Sequence, residues 1–295
     1  MHRVLSECIG LDDGNPTPDD IRESIVPSGK AISPQDAARC SWDFVRTGRF
    51  LSGIVEAINA VRRRFEDETV RVLYAGCGPF AILVLPIAHR WTPDEVQFTL
   101  LDYHSRSLDS ARLVADGLGV LDRIDHFVQA DAALYRCPSE APPAVLITET
   151  MQRALEKEPQ VAITTNLAKQ LRPGGLIVPE QIELHLTLMI PEKEMGFDAT
   201  KLKSERRDLG CVMQLNQTGN HCFDITWPDI PMENLQPFIR THIRVYGDID
   251  IGDYESGLTI PVPLSHCHEQ NWQPQPGQCL HFEYELSSTP RLIFR

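Results

Sequence analysis

Glu149 and Glu158, nine positions apart in a stretch that runs Thr148-Glu149-Thr150-Met151 and ends Glu156-Lys157-Glu158-Pro159, are the side chains best suited to chemistry in this sequence. Two carboxylates brought together could grip a flat cation and orient it. On a continuous helix of about 3.6 residues per turn they would point to opposite faces, so they can converge only across a loop. The local sequence favours one: residues 144–148 are an apolar run of strand length, and Pro159 keeps Glu158 out of helical dihedrals while suiting the first turn of a following helix. Upstream, Ala75-Gly76-Cys77-Gly78 reads as a glycine turn that lets a ligand approach the backbone. Together these features suggest a cationic substrate beside a nucleotide-like cofactor. A solvated acidic loop ending in a helix cap is the alternative.

Strands and helices alternate around these residues. Residues 70–74 read as a strand running into Gly76 and Gly78, and 81–88 resume a helical apolar pattern. A second strand, 96–101, ends in Asp102; a third, 124–128, ends close to Asp131; the fourth is 144–148. Helices are expected at 107–117 and 159–171, and one or two between Ser33 and Ile58, where Ser33-Pro34 reads as a cap. Such alternation predicts a parallel sheet covered on both faces, with ligands at the carboxyl ends of its strands. Asp102 at a strand end can accept both hydroxyls of a ribose, and Asp131 can accept from an adenine amine; each can equally be a cap or a surface charge. After Arg172-Pro173-Gly174-Gly175 the texture becomes β-type, at 176–178, 182–189, 241–246, 257–261, 280–286 and 291–294. Three parts follow: an amino-terminal arm or lid (1–32), a cofactor-binding α/β domain (33–179) and a β-rich domain (180–295).

Composition limits the partners. Asp+Glu of 41 against Lys+Arg of 28 gives a net charge of -13, which disfavours nucleic acid or an anionic membrane and suits cationic substrates. The eight cysteines contain no Cys-x-x-Cys pair, so neither zinc nor a small disulfide framework is signalled, and no metal is expected. No segment approaches the roughly 18 apolar residues that span a bilayer, and the amino terminus lacks the apolar core of a signal peptide. A soluble, cytoplasmic protein is expected.

The glycine turn with Asp102 and Asp131 resembles the class I S-adenosylmethionine-dependent methyltransferases, with Tyr74 where that class has an acid and Phe80 where it has a third glycine. The resemblance narrows to the protein arginine methyltransferases, which carry Glu-x-Met after the fourth strand, a Leu four residues after the Met and a second Glu nine after the first. Glu149, Met151, Leu155 and Glu158 fall on those positions. Pro173-Gly174-Gly175-Leu176-Ile177-Val178-Pro179 is similar to the family's entry into its β-barrel, and Val45-Arg46-Thr47 to its Val-Arg-Thr. This implies a Rossmann-like sheet followed by a β-barrel-like domain, S-adenosylmethionine as cofactor, and Glu149 and Glu158 as the catalytic clamp on a guanidinium. It also implies Arg46, with Arg49 as local competitor, on the methionine carboxylate, and a homodimer. The family's Tyr-Phe-x-x-Tyr helix has no counterpart, Thr150 stands for an aromatic residue, and His266, His268 and Trp272 replace a Thr-His-Trp segment with altered spacing. The expected acceptor is therefore a small guanidino or amine compound, arginine or one like it. The alternatives are a protein arginine, or another small molecule of specialised metabolism taking a methyl on O, C or N.

Three other groups carry weaker signals. His266 and His268 would share one face of a strand, which permits a metal or base role but supplies no third ligand. Glu156 reads as solvent-facing, and Cys77 has no neighbouring base in sequence.

Overall fold

In a computed structural model, which describes residues 2–66, 68–194, 206–230, 234–264 and 274–295, the most continuous apolar runs ahead of residue 172 form the central strands of a sheet. These are β3 (Val70–Ala75), β4 (Val96–Asp102) and β6 (Val145–Thr148), and every residue of β6 is buried. With β5 (Ile124–Gln129) and β7 (Leu176–Val178) they form a parallel sheet in the order β5-β4-β3-β6-β7. Strands buried on both faces read as unbroken hydrophobic runs, and parallel pairing follows from helical crossovers. The crossovers include α4 (Ser105–Gly117) after β4 and α5 (Gln160–Leu167) after β6.

Register places the chemistry. Ala75 pairs with Leu101 on one side and Thr148 on the other, so Gly76, Asp102 and Glu149 each follow one row across three adjacent strands. Neighbouring strands lie about 4.8 Å apart. The reversal of strand order falls between β3 and β6, the place where open α/β sheets bind ligands.

Ahead of the sheet come α1 (His2–Ile9), a hairpin of β1 (Ser24–Val26) and β2 (Gly29–Ala31), α2 (Pro34–Arg39) and α3 (Phe44–Arg64). Ser33 caps α2 through Asp36 N–H, with Pro34 at the first position, as its sequence predicts. In α3 the buried Phe50, Ile54, Ala57, Ile58 and Val61 keep three- and four-residue spacing, one apolar stripe facing the core.

Past β7 an open antiparallel sheet runs β10-β9-β8-β12-β13, with β14 also on β12: β8 (Gln181–Met189), β9 (Arg207–Asn216), β10 (Gly219–Cys222), β12 (Gln236–Tyr246), β13 (Ile249–Ile251) and β14 (Val262–Pro263). Ile182, Leu184, Leu186 and Leu188 of β8 alternate inward. Two short pairs complete the region, β11 (Ile225–Thr226) with β15 (Cys279–Leu280), and β16 (Phe282–Glu285) with β17 (Arg291–Phe294). Among the described residues no sheet closes, so the expected barrel is here an open sheet with two strand pairs. His266, His268 and Trp272 lie outside the described residues.

Two expected elements differ. Residues 81–88 form no α-helix: Ala81 has φ 39°, and turns lead into a 3-10 helix at Leu85–Arg90. Pro79 and Pro86 each remove an N–H, and residues 80–85 are buried all round, which mimics helical periodicity in sequence. Residues 257–261 begin with a 3-10 turn, Gly257–Thr259, instead of a strand, because Ser256 and Thr259 cap each other's backbone.

Candidate active site

The glycine turn is set by backbone requirements. Gly76 (φ 71°) and Gly78 (φ 64°) occupy the left-handed region, and a Cβ on Gly76 would stand 2.2 Å from Thr150 Cγ2. Their amides do not open a helix, as the sequence suggests they would. Gly76 and Cys77 N–H donate to Leu101 O, and Gly78 N–H donates to Asp102 Oδ2 at 2.8 Å. Asp102 Oδ1 accepts His104 N–H at 2.9 Å. Burial lifts the Asp102 carboxyl above its usual range, and those two amides oppose the lift. The Ser107 hydroxyl is a third partner; of the roughly four lone-pair sites of a carboxylate, about one is left for a ligand hydroxyl. Asp131 Oδ1 accepts Ala133 N–H at 2.9 Å in the turn just past β5.

Arg46 comes from the first turn of α3, where Asp43 Oδ1 accepts its N–H. Its side chain is 4% exposed, and Nη1 donates to Glu149 Oε2 at 2.5 Å. Burial, the largest single influence, works against the Arg46 charge, but Glu149 together with Cys40, Tyr74 and Asp43 holds the guanidinium above its ordinary value. The contact has the geometry of a buried ion pair. Burial still raises the Glu149 carboxyl, with Arg46 and the Met151 N–H pulling it back. Arg46 Nε is buried without a partner, an orphan donor in a place where such donors are rare. Arg49, its competitor in sequence, is half-exposed and pairs with Glu255.

Glu158, 7% exposed, is the less compensated acid. Burial first, and then the Glu149 charge, push its carboxyl up to about 8, against a hydrogen bond from Gln152 and the charges of Lys30 and Arg46. The two glutamates thus interact across the loop. Gln160, at the start of α5, ties that loop to the strand: Oε1 accepts Thr150 N–H at 2.8 Å and Nε2 donates to Thr148 O at 3.3 Å.

Arg46, Gly76, Gly78, Asp102, Asp131, Glu149 and Glu158 all line one open cavity of about 820 Å³. The sequence reading missed several of its walls. Val26, Lys30, Ala31 and Ile32 come from the amino-terminal hairpin, which folds over the loop: Lys30 N–H donates to Lys157 O at 2.8 Å. Gly29 (φ 147°) allows that approach, since a Cβ there would meet Lys157 O at 2.9 Å. Tyr74 is a further lining residue, with its phenol raised well above the usual value by burial and then by Cys77 and Glu149. Tyr74 was noticeable only as a tyrosine in place of an acid; nothing in the sequence marked Lys30. Burial, and then the Asp102 charge, push the Cys77 thiol well above its usual value. Glu156 is half-buried, not solvent-facing. Away from the cavity, Glu183, His185 and Cys211 bring one potential ligand atom each within 4.8 Å of one another on the outer face of β8 and β9.

No protein-family model matches the sequence, and a comparison with curated proteins finds no match. Solved structures do match. The PRMT1 enzyme–prozyme heterotetrameric complex of Trypanosoma brucei with AdoHcy aligns at TM-score 0.52 and 12% identity, over 82% of this chain and 84% of that one. An S-adenosylmethionine-dependent methyltransferase of Geobacter sulfurreducens, with S-adenosyl-L-homocysteine, aligns at TM-score 0.30 and 22% identity, over 44% and 49%. The first likeness establishes the fold: an α/β, Rossmann-like methyltransferase sheet followed by an antiparallel β region. Among the described residues no helix is long and apolar enough to cross a membrane.

Proposed function

We propose that the chain is an S-adenosylmethionine-dependent N-methyltransferase acting on a guanidino group, with arginine or an arginine-like small molecule as acceptor. What supports this is a single arrangement: both glutamates line the cavity that also takes in the glycine turn, Asp102 and Arg46. The residues present fit the cofactor. Asp102 retains an acceptor site for a ribose hydroxyl, and Asp131 lies at the adjacent strand end for the adenine. Arg46 Nε is an unpaired buried donor for a carboxylate. When bound, this cofactor supplies an electrophilic methyl on a sulfonium.

The chain supplies orientation and proton handling. Glu149 and Glu158 grip the planar guanidinium, turn one nitrogen toward the methyl and draw its charge away, so that a lone pair becomes available. As the N–C bond forms and the S–C bond breaks, the nitrogen must lose a proton. Glu158, whose carboxyl is pushed up to about 8, is matched to accept it. The amino-terminal hairpin covers one side of the loop. The three-part division of the chain and a homodimer belong to the same proposal.

Arg46 on Glu149 favours a second reading, in which only Glu158 faces the acceptor and works as a base on a neutral amine, hydroxyl or carbon acid. Isotope transfer from labelled cofactor to free arginine, to arginine-rich peptide and to a metabolite extract separates these. Label in arginine supports the guanidino reading, label in the peptide points to a protein acceptor, and label in a non-guanidino metabolite alone favours the second. Binding of the cofactor without any transfer would mean a silent member of the fold.

A further inference from the structure

We propose that Tyr284 and Thr241, both from the β region, are positioning residues that hold the double-glutamate loop in its working shape. Three of the four residues 154–157 that lead to Glu158 stand in the left-handed region without being glycine: Ala154 (φ 57°), Leu155 (φ 56°) and Lys157 (φ 67°). L residues seldom adopt it, and a run of them persists only where the surroundings over-determine it.

Each of the three has its own tether. Thr241 Oγ1 on β12 accepts Ala154 N–H at 3.0 Å, in a fully buried position. The Tyr284 phenol on β16 donates to Leu155 O at 2.5 Å. Lys157 N–H donates to Pro290 O at 2.9 Å, just ahead of β17, so one hairpin grips the loop at two points. The Lys30 amide holds Lys157 O from the other side. Two of these tethers are side chains and can be removed without touching the backbone. The β region therefore reaches the chemistry through the loop's shape, by setting where the Glu158 carboxylate stands relative to Glu149.

The consequence for turnover rests on the guanidino reading above; the tether itself does not. Hydrogen–deuterium exchange over amides 154–158 tests the tether directly. Tyr284→Phe, which keeps the ring, is expected to speed their exchange by about tenfold while β3, β4 and β6 stay protected. Unchanged exchange, or faster exchange spread over the whole chain, overturns the proposal. Turnover tests the consequence: Tyr284→Phe and the isosteric Thr241→Val are each expected to lower kcat by at least about tenfold. Affinity for the spent cofactor should stay within about twofold. A parallel loss of cofactor affinity would mean general damage and count against a positioning role. Ala154→Gly, which accepts the left-handed backbone at no steric cost, should restore part of the turnover lost in Thr241→Val; no recovery refutes the strain argument. Should the wild-type protein label no guanidino compound, the proposed activity falls, and the exchange measurement still decides the tether.

Discussion

Replacing Glu158 by Gln should stabilise the protein, and increasingly so as pH rises. The native carboxyl is pushed up to about 8 from 4.5 by burial and by Glu149, so between those values the folded chain holds a proton that the unfolded chain has lost. Stability contributed by this group therefore falls as pH rises from about 4.5 to about 8 and is flat above. With the two pKa values in the linkage relation, the cost is about 1 kcal/mol at pH near 5 and about 5 kcal/mol at pH near 9. The difference, about 4 kcal/mol, is absent from a glutamine. At roughly 2 °C per kcal/mol for a chain of this size, the gap in Tm between Glu158→Gln and wild type should widen by roughly 8 °C between those pH values. Thermal melts of both proteins across the range read this directly. Any constant offset from the substitution cancels, because only the change with pH is compared. A gap independent of pH would refute the assignment of a strained, proton-holding carboxyl, and with it the argument that Glu158 can accept the acceptor's proton.

Other consequences follow from the same geometry. The same Glu158→Gln substitution should cut turnover by orders of magnitude with cofactor affinity nearly intact, and near-normal turnover removes Glu158 from the clamp. Asp102→Ala removes a buried acceptor carboxyl and should weaken spent-cofactor binding by at least about tenfold in calorimetry; unchanged affinity refutes its ribose role. Arg46→Ala leaves Glu149 as a buried anion without its partner, which costs about 3–5 kcal/mol, and urea unfolding should show Glu149→Gln recovering part of that loss in the same background. Gly76→Ala combines φ 71° with a Cβ 2.2 Å from Thr150 Cγ2, and should lose at least about 2 kcal/mol; a loss under about half a kcal/mol would contradict the packing described.

What was readable in the chain is what local physics dictates. Apolar runs of strand length, a glycine turn and Pro159 marked β3, β4, β6 and the loop that follows, and the strand ends then carried Gly76, Asp102 and Glu149 into one row. Periodicity failed at 81–88, because a segment buried on all sides shows apolar residues at every spacing, and only Pro79, Pro86 and the backbone of Ala81 say that it is no helix. A capping pair, Ser256 and Thr259, was there to be read and outweighed a β-like composition. Long-range partners had no local signature. Arg46 meets Glu149 across 103 positions and Tyr284 meets Leu155 across 129. The open sheet likewise depends on which strands find each other, not on the propensity of any one of them.

Under the proposed function, the charges of the cavity explain why one carboxyl is paired and the other is not. Arg46 offsets Glu149, while Glu158, its carboxyl pushed up to about 8, stays neutral in the empty site below that pH, so these three side chains together carry no net charge. An entering guanidinium makes Glu158 ionise and release its proton to solvent, and again the buried charges balance, which avoids the several kcal/mol that an unpaired buried ion costs. Acceptor affinity should therefore rise with pH up to about 8. Methylation then returns a proton to Glu158. The product cation loses one of its two counter-charges at that moment, and the hold that aligned the acceptor weakens once alignment is no longer needed. A second fixed cation beside Glu158 would keep that carboxylate ionised and forfeit both the proton uptake and the release, whereas a proton that comes and goes serves each step in turn.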